Sequence, residues 1–100
     1  MKLIKNIQST AKEVLRQEAE AVRNLIELID DEFEKCVYAM LHSGGRVVVS
    51  GVGKSAIVGQ KIVATLNSTG TPALFMHAAD AIHGDLGMIT DKDVVMAFSN

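Results

Sequence analysis

Arg46-Val47-Val48-Val49-Ser50-Gly51-Val52-Gly53-Lys54-Ser55-Ala56 is the stretch on which the fold turns. Three consecutive valines run into a serine, and then the glycines break the run. A β-branched run bounded by glycine reads as a strand buried on both faces, as in a parallel sheet. Beyond the glycines, Ile57, Val58, Ile62, Val63 and Leu66 return at helical spacing, so the loop joins a strand to a helix. Such a loop points backbone N–H groups and a helix N-terminus into the crevice above the sheet, a place suited to an anion and most often a phosphate.

Three known designs share the look of this loop. A nucleoside-triphosphate P-loop needs a glycine five residues before the Gly of Gly-Lys-Ser, and that position is Val48, inside the strand. It is rejected. A dinucleotide fingerprint accommodates Gly51-x-Gly53-x-x-Ala56 in its glycine-or-alanine form. Its acid, however, should close the second strand, where this chain has Phe75-Met76-His77, and Asp80 comes three residues late. The third design is a sugar-phosphate site, in which the loop meets sugar and phosphate with no adenosine. A plain tight turn before a small-residue helix start is the non-functional reading. At this point the last three stay open.

Composition narrows the class. One hundred residues, 48% hydrophobic and 22% charged, describe one globular domain or part of one. A net charge of −2 supplies no basic field for nucleic acid or an acidic membrane surface. Aromatics at 4% argue against base-stacking platforms. The single cysteine, Cys36, cannot form an intrachain disulfide, which fits a reducing cytosol, and it falls on the apolar stripe of a predicted helix as a buried thiol. Neither a signal peptide nor a membrane span is legible, so a soluble cytoplasmic protein is expected.

Read in order, Thr10-x-x-Glu13 is a capping-box pattern that opens a long amphipathic helix over about 9–29, striped by Leu15, Ala19, Val22, Ile26 and Ile29. Asp30 or Asp31 caps a second helix, about 31–43, striped by Phe33, Cys36, Val37, Met40 and Leu41 and stopped by Gly44-Gly45. The α/β core starts at 46. After the strand-loop-helix unit, Thr71-Pro72 turns into a strand at 73–76, a short helix and loop occupy 77–88, and a third strand covers 94–98. This order predicts an α/β, doubly wound, flavodoxin-like parallel sheet preceded by two helices. The chain reaches residue 100 at the carboxyl edge of the third strand, where ligands bind in open sheets, so it is expected to be the N-terminal part of a larger domain.

Two histidines flank the region after the second strand. His83-Gly84-Asp85 sits among small residues that permit close ligand approach, and an imidazole in such a crevice can exchange protons near neutral pH. A hydrogen-bonded structural role for His77 and His83 is the plainer alternative. His42, just before the Gly44 stop, reads as a cation at a helix C-terminus. Two histidines six residues apart are too few for a metal site, though they could capture zinc adventitiously.

Gly51-Val52-Gly53-Lys54-Ser55, then Ser68-Thr69-Gly70-Thr71-Pro72, then Ala81-Ile82-His83-Gly84-Asp85-Leu86-Gly87-Met88, and finally Ser99-Asn100 resemble the sugar isomerase (SIS) domain of arabinose 5-phosphate isomerases. The resemblance covers essentially the whole chain. It implies interconversion of D-arabinose 5-phosphate and D-ribulose 5-phosphate, the entry to Kdo synthesis for bacterial surface polysaccharide. By motif, it makes Lys54 and His83 the catalytic lysine and histidine. Gly51, Gly53, Ser55, Gly70, Thr71, His77, Ser99 and Asn100 would contact substrate beside His83. His77 would also be able to take zinc, with no cofactor required. Ser99-Asn100 matches the start of a phosphate-gripping Ser-Asn-Ser-Gly loop whose second Ser-Gly is not in this sequence. The family's catalytic glutamates and a further histidine would lie downstream. Because Gly70-Thr71 begins the second strand, at the far end of the sheet from Gly51, a neighbouring subunit is expected to complete the site, in keeping with the family's homotetramers. Two other classes remain beside the isomerase: a non-catalytic sugar-phosphate-binding SIS regulator, and a nicotinamide-binding module.

Overall fold

The computed structural model describes residues 2–82 and 84–99, with only the backbone for 2–5, 80, 82 and 85. The chain divides into two compact units, Met1–Lys35 and Cys36–Asn100. The first holds helix α1 (Lys2–Asn24) and a 3₁₀ turn (Leu25–Leu28), and α2 (Asp31–Leu41) carries the boundary. The second holds β1 (Val47–Gly51), α3 (Gly53–Ser68), β2 (Ala73–His77), α4 (Ala78–Ile82), a 3₁₀ turn (Asp85–Met88) and β3 (Val94–Ala97).

Helix α1 begins well before Thr10, so Thr10-x-x-Glu13 lies inside it and caps nothing. The favourable helix residues ahead of Thr10 simply continue the helical run. The prediction for α2 holds at its start: Asp30 Oδ1 accepts the Phe33 N–H at 3.0 Å, the geometry of an N-cap. Cys36 is exposed and not buried. Along the α2 stripe only Met40, one turn later, packs against the sheet core, while Phe33 and Leu41 stay exposed.

The three strands form one parallel sheet in the order β2-β1-β3. Val47 pairs with Ala73 and Val94, and Gly51 with His77. Val47, Val48 and Val49 are at most 1% exposed, as a central strand covered on both faces requires. Burying each contributes about 1.5–3 kcal/mol. On one face Val47 and Val49 pack with Val63, and Ile62, Leu66, Phe75 and Met96 close around them.

The predicted apolar stripe of α3 is only partly the buried one. Ile57 and Val58 are exposed, and the face turned to the sheet runs through Ala56, Gly59 and Val63. The reason is proximity. A Cβ on Gly59 would stand 3.1 Å from both Phe75 Cε2 and Val49 Cγ1, so the helix lies too close for larger side chains there.

At the amino edge of the sheet β1 and β3 are clasped by one carboxylate. Asp93, whose side chain is 1% exposed, accepts the Arg46 N–H at 2.8 Å, the Thr90 N–H at 2.9 Å and Arg46 Nη2 at 3.1 Å. Arg46 Nη2 also donates to the Met88 carbonyl at 2.7 Å. The hydrogen bond from the Arg46 guanidinium first, and those from the two backbone amides next, hold the Asp93 carboxyl well below the usual carboxylate range. Gly45 makes the clasp possible: a Cβ there would fall 2.5 Å from the Lys92 carbonyl oxygen.

Candidate functional site

The glycine loop leaves the carboxyl end of the central strand. Gly51 and Gly53 serve it for different reasons. A Cβ on Gly51 would press on the backbone of Ser55 and Ala56 at 3.3 Å, so strand and helix can approach this closely only through glycine. Gly53 has φ +59°, in the left-handed region that costs other residues about 1–2 kcal/mol. Val52, at the N-cap of α3, is extended and no side chain caps the helix. The first N–H groups of this 16-residue helix, together with its dipole, therefore face the rim above the sheet.

Strand β3 delivers its end to the same rim. The Phe98 N–H donates to the Ser50 carbonyl at 2.9 Å, one residue past the strand, which brings Ser99 alongside the loop. Lys54, Ser55, Val58, Phe98 and Ser99 line one pocket of about 300 Å³. Its place follows from topology. Strand β1 has β2 on one side and β3 on the other, so the strand order reverses between β1 and β3, and open α/β sheets bind ligands at that reversal. Lys54 is exposed and has no ion-pair partner among the described residues. The ammonium of Lys54, the hydroxyls of Ser55 and Ser99 and the first N–H groups of the helix are donors of the kind an oxyanion takes, while Val58 and Phe98 wall the apolar side of the pocket.

The structure thus brings together Lys54, Ser55 and Ser99 over Gly51 and Gly53. Gly70 and Thr71 are not with them. They precede β2 at the amino edge, on the order of 20 Å from the Gly51 end at the rise of a parallel strand. His77 is beside Gly51 in the register but opens on a separate cleft of about 560 Å³ along β2, shared with Gln60, Phe75, Met76 and Met88. His83 and Asn100 lie outside the described residues. His42 follows the end of α2 with its ring 5.1 Å from that of Tyr38. Among the described residues no three His, Cys, Asp or Glu side chains gather where they could hold a metal.

Sequence reasoning missed Val58 and Phe98 as pocket walls and Gln60 as a lining residue. The signal for Val58 was its place four residues after Lys54, on the same helix face. Phe98 immediately precedes the serine at the rim. Nothing in the sequence marked Gln60.

Comparison with known proteins is consistent with this geometry. The Pseudomonas aeruginosa arabinose 5-phosphate isomerase KdsD is 53% identical over 91% of this chain, and the Escherichia coli K12 arabinose 5-phosphate isomerase GutQ is 47% identical over the same share. The chain spans 28% of the length of each of these relatives. Among solved structures, the E. coli CFT073 protein c3406 in complex with arabinose 5-phosphate superposes with a TM-score of 0.89 at 40% identity, covering 96% of this chain and 51% of that one. A Bacteroides fragilis protein assigned as a phosphosugar isomerase in capsule formation gives 0.89 at 35% identity, over 94% and 50%. The model of the SIS domain matches residues 40–100, the strand, the glycine loop and the rim that carries the pocket. By sequence and by fold, this chain belongs to the SIS domain family.

Proposed function

We propose that the protein to which this chain belongs is an aldose–ketose isomerase that interconverts D-arabinose 5-phosphate and D-ribulose 5-phosphate. The observation that carries the proposal is the pocket at the β1–β3 reversal lined by Lys54, Ser55 and Ser99. Its support from relatives is that proteins named for this reaction match nearly the whole chain.

The chemistry suits these groups. A phosphate on O5 leaves the aldose only a five-membered ring, and opening it needs an acid and a base. The C2 proton of the open aldehyde then leaves, an enediol(ate) spans C1 and C2, and a proton is delivered to C1 as the hydroxyl proton passes from O2 to O1. Ser55, Ser99 and the first N–H groups of α3 bind phosphate in this reading, with Gly51 and Gly53 allowing its close approach. Lys54 balances the charge of phosphate or enediolate. His83 serves ring opening or proton transfer. Gly70, Thr71, His77 and Asn100 contact substrate. Gly70 and Thr71, remote from the pocket within one chain, do so across a homotetramer. We place the protein in the cytoplasm, feeding Kdo and surface-polysaccharide synthesis. Among the described residues no helix is long and apolar enough to cross a membrane.

The test is turnover by the complete protein and its variants. Lys54→Ala and His83→Ala should each lose roughly 10²–10⁴-fold in kcat/KM while keeping the wild-type melting temperature. Near-wild-type turnover in either variant removes that residue from the mechanism. Sugar-phosphate binding with no turnover in the wild type would favour the regulator instead.

A further inference from the structure

The loop that carries Gly70 and Thr71 is fastened on both sides, and Asn67 does most of the fastening. Asn67 stands in the last turn of α3 and holds Ala73, the first residue of β2, with both ends of its side-chain amide. Its Oδ1 accepts the Ala73 N–H at 2.8 Å, and its Nδ2 donates to the Ala73 carbonyl at 3.1 Å. Those two backbone groups face the outer edge of the sheet. The Pro72 carbonyl is turned inward to the Val47 N–H, and across a trans peptide the next N–H points the opposite way. Among the described residues no strand pairs with β2 on that outer side. Asn67 therefore gives Ala73 the donor and acceptor that a neighbouring strand would give it. Between these anchors the Thr71 N–H donates to the Leu66 carbonyl at 2.9 Å and the Gly70 N–H to the Asn67 carbonyl at 3.4 Å. The side chain is exposed, so water would satisfy its amide equally well. What the two bonds fix is the shape of the loop between Asn67 and Ala73.

We infer that Asn67 is a positioning residue that acts through Gly70 and Thr71: it pins residues 68–72 as a preformed loop that one copy of the chain presents to the site of another. The presentation rests on the isomerase reading above, in which Gly70 and Thr71 reach substrate only across subunits; the pinning does not. A preformed loop has less freedom to lose when it meets substrate, so releasing it weakens binding before it slows chemistry.

Three measurements on the complete protein test the inference, all with Asn67→Ala. Alanine is the better helix former, so α3 should persist in the variant. Amide hydrogen exchange at Gly70 and Thr71 should quicken about tenfold or more, while Val47, Val48 and Val49 keep the wild-type rates. Unchanged exchange in the loop overturns the inference whether or not the protein is an isomerase. In turnover, KM should rise about threefold or more with kcat within about twofold of wild type. A loss confined to kcat, or an unchanged KM, overturns it. Finally, Asn67→Ala and Lys54→Ala subunits are co-expressed and purified as mixed oligomers. A site that takes Lys54 from the first and the loop from the second is whole, so the mixture should exceed the average of its parents by about twofold at low substrate. A mixture equal to that average would mean that the loop serves its own chain, and the presentation falls. Absence of turnover in the wild type would count against the isomerase reading and leave the exchange rates to decide the pinning.

Discussion

Asp93 shows how one side chain can settle the register of a sheet. Its carboxylate takes three hydrogen bonds, two from backbone amides and one from the Arg46 guanidinium, with almost no access to water. Those partners favour the charged form, so its folded-state pKa is depressed below that of the unfolded chain, near 3.9. A depressed acid stabilises the fold fully above the unfolded pKa, and this contribution drains away as pH falls below it. Asp93→Asn should therefore unfold at lower urea than the wild type at pH 7, and the gap should narrow between pH 4 and pH 2 as the wild type protonates. Urea midpoints for both proteins across that range check it; a gap independent of pH would mean that the carboxylate charge contributes nothing. None of this was visible in the sequence, where Asp91-Lys92-Asp93 reads as an ordinary polar turn. Nothing local distinguishes Asp93 from Asp91, because its partner Arg46 is 47 residues away.

The packing of α3 on the sheet shows what hydrophobic periodicity can and cannot deliver at the level of an element. The valine run, the glycine break and the returning helical pattern fixed β1, the loop and the helix, because local sequence dictates each of them. Which face of the helix turns inward was read less well. Ile57 and Val58 carry the larger hydrophobic weight, yet the contact is made through Ala56 and Gly59. Close approach favours absence of side chain, and counting apolar residues scores that absence as nothing. The same blindness put a helix start at Thr10, where the pattern matched but the helix was already under way, and a buried thiol at Cys36. Gly59→Ala weighs two opposed effects. Helix propensity gains about 1 kcal/mol, while overfilling a tight contact costs about 1–3 kcal/mol. Overfilling should win, because Val49 is fully buried and the Phe75 ring is packed on the same core, leaving neither room to yield. We expect a net loss of about 1 kcal/mol by chemical denaturation. Adding Phe75→Leu should recover part of it. A stabilised Gly59→Ala protein would mean that α3 rides higher on the sheet.

For the whole molecule, the reversal of strand order explains why residues far apart in sequence share one pocket. Lys54 and Ser55 arrive on the loop after β1, and Ser99 arrives 44 positions after Ser55 at the end of the strand on the other side of the reversal. That pairing could be anticipated from the element order. The separation of Gly70-Thr71 from it could be anticipated too, since both precede β2 while the loop follows β1. A remaining feature concerns α1 and the turn after it, where Leu15, Val22, Ile26 and Ile29 recur at helical spacing and are each more than half exposed. A row of large apolar side chains left in water forgoes about 25 cal/mol for each Å² that a partner would cover. On the homotetramer reading proposed above, a second copy of the chain would supply that cover. Val22→Lys places a charge in the middle of the row, at a position 67% exposed, so folding within one chain should survive it. Light scattering on the complete protein should then report a smaller particle than the wild type, with helix content by circular dichroism unchanged and turnover reduced wherever the site needs residues from two chains. If Val22→Lys keeps the wild-type mass, this row is not the surface on which the copies meet.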